Sequence, residues 1–413
     1  MHIDNMNADQ QRAFDRVAAG HSVLLCGAAG TGKSFTIKHI VEWARLSGKY
    51  IGVTATTGSA AILIGGSTVH SFLGIGLGTK SAEELANEIK TKKRFVYQRL
   101  QRLCALIIDE ISMMDSKLFD LISQVLCIIR NDKRPFGNVQ LVLCGDLFQL
   151  PPVKFSYMFK SNIWPSLDIE MVELTESMRH KDDVEFLNML QQLRWGKCPP
   201  DVLKKLKSTS TRTWDDGIEP TVLYSKNIDV DITNDFKYQE LIATGARCFT
   251  YRTEYSGQMA QTWATSCKVP ESCSLCVGAQ VVLTWNIDVS NGLCNGARGV
   301  VTDVGMMGVT VKFASGVTIM ISHIDIEHED DKKIRVNFMP LKLAYALTMN
   351  KSQGMTLDRA IVVLEYFGNA AFMYGRAYTA LSRVRNLNSI QVLNASSDCF
   401  AVHPDVIEFY KNT

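Results

Sequence analysis

Gly27-Ala28-Ala29-Gly30-Thr31-Gly32-Lys33-Ser34 stands behind a short apolar run, Ser22-Val23-Leu24-Leu25-Cys26. It is followed by Phe35, Ile37, Ile40, Val41 and Ala44 at helical spacing. Strand, glycine-rich turn and helix is the setting that a phosphate-binding loop requires. The glycines let backbone N–H groups turn toward a polyphosphate, at a helix N-terminus that already favours anions. Lys33 is then placed to reach the β- and γ-phosphates and the Ser34 hydroxyl to ligate magnesium.

Upstream, Asn7 is placed to cap a helix carrying Ala13, Phe14 and Val17. Gln10, on that helix, has either an adenine edge to read or only solvent to meet. Downstream, the strand Ile51 to Ala55 ends in Thr56, Thr57 and Gly58, suited to meet a phosphate backbone at the carboxyl end of a parallel sheet. His70 and Phe72 add an imidazole and a ring; Phe72 reads equally as a base-stacking surface or a core aromatic. Residues 76–102 turn glycine-rich, then polar and basic, which predicts an exposed insertion or a solvated surface helix.

Leu106-Ile107-Ile108-Asp109-Glu110 is an apolar strand ending in two acids. After a phosphate-binding loop, that pairing assigns Asp109 to hold magnesium through water and Glu110 to act as the general base on the attacking water. From Asp115 onward, Leu118, Leu121, Ile122, Val125, Leu126 and Ile129 line one helix face as core. A further buried strand, Leu141 to Cys144, delivers Gln149 to sense the γ-phosphate, ahead of a loop stiffened by Pro151 and Pro152. Arg179 is a candidate to bridge the nucleotide.

Totals narrow the classes. The 413 residues carry a net charge of +2, so a nucleic-acid surface has to be a local groove and not a basic face. No apolar run reaches the ~20 residues of a bilayer span. The first nine residues lack a secretory or transit pattern, and an intracellular protein without membrane attachment is expected. The eleven cysteines read as free thiols of a reducing compartment. Cys273-x-x-Cys276, near Cys267 and Cys294, lacks the second spaced pair and the histidine of a zinc site.

Past about residue 185 strands and helices alternate again, with Thr221 to Tyr224 a strand and Asn227 opening a helix. Between 278 and 340 short strands with glycine turns predict a small β-barrel insertion, its acidic tip at 327–331 a solvated loop. The pattern then resumes, and the helix from Gly375 carries Arg383.

Taken together, the chain resembles superfamily 1 DNA helicases of the petite-integration-frequency type, related to RecD and Dda, from Asn7 to about Leu393. The resemblance rests on Asp109-Glu110-Ile111-Ser112-Met113-Met114-Asp115, Gly145-Asp146-Leu147-Phe148-Gln149-Leu150-Pro151-Pro152, Lys351-Ser352-Gln353-Gly354-Met355-Thr356-Leu357 and Ala377-Tyr378-Thr379-Ala380-Leu381-Ser382-Arg383. It implies two RecA-like α/β domains, 1–185 and 186–413, with ATP and Mg2+ in the cleft between them and a wedge at 76–102. It makes Gln10 the adenine reader and places Gly354 at the nucleotide. Gln149 becomes the coupler of nucleotide to DNA, and Arg179 and Arg383 the two arginine fingers. Thr57, Gly58, His70, Phe72, Thr348 and Lys351 fall where such proteins meet single-stranded DNA.

The activity so implied is 5′-to-3′ translocation by a monomeric motor on single-stranded and tailed duplex DNA. Unwinding of duplex and G-quadruplex DNA in replication, repair or recombination would follow. A translocase that does not separate strands, and a nucleotide-gated binding module, are the rival readings. Asn350, where many members have His, and Arg376, in place of a common Gln, are departures from the pattern. The chain is expected to be little more than a motor core.

Overall fold

Six parallel strands build the sheet behind the glycine-rich loop. They are β1 (Ser22–Gly27), β2 (Ile51–Ala55), β3 (Ser67–Thr68), β4 (Ala105–Asp109), β5 (Gln140–Gly145) and β6 (Ile169–Leu174), in the spatial order β3-β2-β4-β5-β1-β6. β1, β4 and β5 are buried along almost their whole length, as apolar runs in a parallel sheet covered on both faces must be. The structure, a computed structural model, describes residues 6–412 apart from 77, 154–155, 215–218, 267–268, 286, 289–290, 292, 294–296 and 328–332. Cys267, Cys294 and most of the expected acidic tip therefore lie outside the described residues.

The helices follow the hydrophobic periodicity. α1 (Ala8–Ala18) starts in a reciprocal cap in which Asn7 accepts from the Gln10 amide and Gln10 from the Asn7 amide. α1 and α2 (Lys33–Leu46) bury Ala13, Phe14, Val17, Ile37 and Ile40 in one cluster with Leu25 and Val142. Phe35, read as part of that face, is instead 37% exposed and lies against His39. α3 (Gly58–Leu63) and α4 (Val69–Leu73) follow β2 and β3.

Residues 76–102 hold two amphipathic helices, α5 (Ala82–Lys92) and α6 (Arg94–Arg102). Leu85 and Ile89, and Val96 and Leu100, are buried, while Lys90, Lys92, Arg94 and Arg102 stay exposed. α5 packs along α7 (Ser116–Arg130), whose own buried face is Phe119, Ile122, Val125, Leu126 and Ile129. α8 (Val184–Arg194) is capped by Asp183.

Compactness divides the chain into two units. The first holds everything described up to Pro199, together with Tyr366–Ser382 and the residues from Ser396 onward. The second holds Pro200–Glu365 and Arg383–Ala395. In the second, Ala346–Thr348, Thr221–Tyr224, Ala360–Val363 and Ile390–Leu393 form a four-stranded parallel sheet in that order.

The antiparallel texture expected after 278 is also present in the second unit, and it begins earlier, at Cys248. It comprises a five-stranded sheet from Gln280–Leu283 to Leu341–Leu343, a three-stranded sheet and the two-stranded pair of Cys248–Arg252 with Ser272–Cys276. Among the described residues no helix is long and apolar enough to cross a membrane, and no group of 3 or more His, Cys, Asp and Glu side chains is placed to hold a metal ion.

Candidate active site

Register assembles this site. Cys26 pairs with Gly145 and Gly27 with Leu174, so the loop after β1 opens level with Asp146 on one side and Thr175 on the other. Gly30 and Gly32 have φ of 84° and 88°, a region that glycine enters without steric cost. A Cβ on Gly30 would collide with Cβ of Arg179, and one on Gly32 with Nε2 of Gln10. The buried Gln10 side chain donates from Nε2 to the Thr31 carbonyl at 3.2 Å, which ties α1 to the loop. Lys33 is the first residue of α2, and its Nζ donates to the carbonyls of Gly27 (2.7 Å) and Ala28 (2.9 Å). Ser34 follows it and is exposed.

Ala55 pairs with Asp109 across β2 and β4, bringing the Thr56–Thr57 turn beside the two acids. The Thr56 amide donates to the Asp109 carbonyl at 3.1 Å, and its hydroxyl donates to the Glu110 carbonyl at 2.8 Å. The Glu110 amide donates to Oδ1 of Asp109 at 2.8 Å. Glu110 sits at φ 53° and ψ 45°, a left-handed conformation that costs a non-glycine residue about 1–2 kcal/mol and is held here on both sides. Burial, then the Glu110 carboxylate, pushes the Asp109 carboxyl up to about 7, with Lys33 among the groups pulling the other way. A buried acid so destabilised, beside a second acid, is a donor set that fits a divalent cation.

Arg179 leans on the same loop. Its amide and that of Met178 both donate to the Gly30 carbonyl, at 3.2 and 2.8 Å, and its guanidinium donates to the Ser382 carbonyl at 2.8 Å. Gln149 is 4% exposed, and its Oε1 has no hydrogen-bond partner among the described residues. An orphaned amide oxygen in this position is costly unless a ligand or its water satisfies it.

A cradle of loop amides with a lysine at its base, an acid pair and an arginine bonded to the loop is the constellation of a phosphoryl-transfer site. A family model described as PIF1-like helicase matches residues 5–203, and one described as the 2B domain of DNA helicase Pif1 matches 260–304. The crystal structure of Pif1 helicase from Candida albicans superposes with a TM-score of 0.84 at 33% identity, covering 98% of this chain and 99% of that one. The chain belongs to the PIF1-like helicase family.

The ATP-dependent DNA helicase PIF1 of Xenopus laevis is 37% identical over 98% of this chain, which spans 64% of that relative's length. A Bacteroides Pif1 helicase in complex with ADP-AlF3 and single-stranded DNA is 27% identical, with a TM-score of 0.71 and coverage of 98% and 96%.

Of the residues expected to meet single-stranded DNA, Thr57 and Gly58 lie at the β2–α3 turn, where the Thr57 hydroxyl accepts from the Ala60 amide at 3.3 Å. His70 is half-buried on α4, and burial draws its pKa down. Phe72 is 7% exposed. Its ring lies against Gly52, with the Arg99 guanidinium 4.6 Å from the ring centre. The core reading of Phe72 is the one its burial favours. In the second unit the Thr348 hydroxyl accepts from the Lys351 amide at 3.2 Å, with Lys351 exposed. Gly354 has φ 79°. Arg383 is buried, with Nη1 3.5 Å from the Met355 carbonyl.

The sequence did not reveal a buried chain of polar groups beneath the loop. The Tyr378 hydroxyl accepts from the Ala29 amide at 3.2 Å and donates to Oδ2 of Asp146 at 2.8 Å. Oδ1 of Asp146 accepts from Nε of Arg194 at 3.1 Å, and Arg194 lies over the Phe148 ring at 4.3 Å. Tyr378 and Asp146 lie within the motifs that carry the resemblance, with no role assigned to them by it, and Arg194 lies in none of those motifs. Arg194→Ala should cost about 3–5 kcal/mol, because it leaves the Asp146 carboxylate buried without its partner. Urea unfolding measures this; a loss under about 1 kcal/mol would show the pair to be idle. Beside Ala28, Arg194 also lines a cavity of about 600 Å³ with Glu173, Thr175 and Trp195.

Proposed function

We propose that this chain is a DNA-stimulated ATPase that moves 5′ to 3′ along single-stranded DNA and unwinds tailed duplexes. The observation that carries this reading is Arg179, bonded through its backbone to Gly30 while Glu110 is pinned at the end of β4. A simple nucleotide-binding module needs neither a base nor a finger. In this reading the amides of residues 28–34 and Lys33 hold the ATP phosphates, Gln10 faces the adenine and Gly354 lines the nucleotide. Ser34 and Asp109 would hold magnesium, which would supply neutralisation of the charge that develops on the phosphates. Glu110 takes the proton of the attacking water. Gln149 detects the γ-phosphate, and Arg179 stabilises charge on the transferring group, with Arg383 as the second finger.

Thr57, Gly58, His70, Thr348 and Lys351 grip the strand in this reading, and α5 and α6 form the wedge. G-quadruplex DNA is a further substrate on the same reading, and the motor works as an intracellular monomer.

A strand-displacement assay on duplexes with 5′ or 3′ tails, with and without ATP, tests the proposal. Displacement of 5′-tailed substrates alone is expected. ATP-driven motion without displacement would favour the translocase reading. Affinity for single-stranded DNA should fall as salt rises, with log K against log salt falling by about 0.7 per phosphate contact; a flat response would count against a backbone grip.

A further inference from the structure

The Cys273-x-x-Cys276 spacing turns out to separate its two thiols. Both residues lie in the strand Ser272–Cys276, where positions three apart point to opposite faces. Cys273 pairs with Tyr251, and its Sγ lies 3.1 Å from the Leu341 carbonyl, to which it donates. Cys276 is in register with Cys248 of the neighbouring antiparallel strand.

The ladder fixes how close those two side chains stand. The Val277 amide donates to the Arg247 carbonyl at 3.0 Å, and the Thr253 amide to the Glu271 carbonyl at 2.9 Å. Hydrogen-bonded pairs alternate from these, so 247/277, 249/275, 251/273 and 253/271 are bonded. Cys248 and Cys276 therefore form a non-hydrogen-bonded pair, whose Cα atoms stand about 4.5 Å apart with side chains at their closest. That separation is inside the ~4.4–6.8 Å range that a disulfide spans.

The adjacent pair of the same kind, on the same face, supplies a direct measure. Thr250 Oγ1 and Ser274 Oγ are 2.9 Å apart. The two thiols also differ in access: Cys248 is exposed and Cys276 is buried. Burial, then the Cys248 neighbour, pushes the Cys276 thiol up to about 11.

We propose that Cys248 and Cys276 are a dithiol oxidation site that closes into a cross-strand disulfide when it meets a small-molecule disulfide such as glutathione disulfide. The Cys248 thiolate attacks one sulfur of the oxidant and expels one glutathione thiolate. Cys276, giving up its proton to solvent, then attacks the Cys248 sulfur of the mixed disulfide and expels the second glutathione. Two protein thiols are oxidised and one glutathione disulfide is reduced to two thiols, which take up the two protons. The closed bond pins the two strands at the base of residues 249–275, a segment that includes the helix Ala260–Ser266. In a reducing compartment the pair stays open, and an oxidising episode closes it reversibly.

The test treats the folded full-length chain with glutathione disulfide, blocks the remaining thiols and maps peptides without reduction. A single linked peptide joining Cys248 to Cys276 is expected in monomeric protein, with Cys248 alkylation reduced at least about tenfold and restored by dithiothreitol. Cys104, exposed and outside any strand, is the comparison within the chain and should stop at the glutathione adduct. Cys276→Ser should leave glutathione on Cys248, and Cys248→Ser should leave Cys276 unmodified. A persistent glutathione adduct on Cys248 in the unsubstituted chain would overturn the proposal. So would a link from Cys248 to another cysteine or to a second chain.

Discussion

Lys33→Ala is expected to reduce DNA-stimulated ATP hydrolysis by about 10²–10³-fold or more, the scale set by removing a preorganised charge from a phosphoryl-transfer site. The Lys33 ammonium is held by two loop carbonyls, Gly27 and Ala28. It is also the cation that offsets the rise of the Asp109 pKa. An alanine takes away that balance as well as the contact proposed to the β- and γ-phosphates, so nucleotide affinity should fall together with turnover. Thr57, Gly58 and His70 hold their places through β2, α3 and α4, and nucleotide-free affinity for single-stranded DNA should stay within about twofold. Steady-state ATPase rates with fluorescence anisotropy on a labelled oligonucleotide separate the two effects. Normal turnover would remove the phosphate-binding role from residues 27–34, and equal losses in both assays would point to a misfolded first unit.

What could be read from the sequence was what the chain keeps local. The strand, loop and helix around Gly27 to Ser34, the acids closing β4 and the Gln149 turn each lie within about a dozen consecutive residues. The chemistry expected of them follows from the order in which they occur. The Asn7 cap was legible for the same reason, and the structure adds that Gln10 caps the same helix in return and braces Thr31. What escaped depends on distant pairings. Tyr378 and Asp146 meet across 232 positions, and no periodicity carries that information.

Likewise, Tyr366–Ser382 belongs to the first unit although it lies between two stretches of the second; it is helical from Arg376 to Leu381, and nothing in its pattern says which unit that helix joins. Phe72 left two readings open because an aromatic beside a hydroxyl-rich turn serves either. Gly52, which leaves room for the ring, is what favours the core. The cysteines show the same limit. A tempting spacing at 273 and 276 hid the thiol that matters to Cys276, which is 28 positions away on the next strand.

Glu110→Gln should slow the chemical step by about 10²–10⁴-fold while ATP binding survives or tightens. The geometry makes this substitution unusually clean. The Glu110 backbone is fixed by its amide on Asp109 and its carbonyl under Thr56, and neither bond involves the side chain. Glutamine keeps the shape and loses the negative charge and with it the capacity to accept a proton. The second consequence comes through Asp109. Its carboxyl is raised partly by the negative charge of Glu110, so neutralising that charge lowers the Asp109 pKa and leaves more of it ionised at neutral pH. A more fully ionised Asp109 is a better partner for a cation that accompanies the nucleotide. The expected signature is therefore a split, with kcat collapsing and KM unchanged or lower, and unhydrolysed ATP retained on the protein. Single-turnover hydrolysis alongside filter-trapped nucleotide reads both halves. Should kcat hold, the proton acceptor is another group; should KM rise in step with the fall in kcat, the residue at 110 shapes the loop and does not act on water.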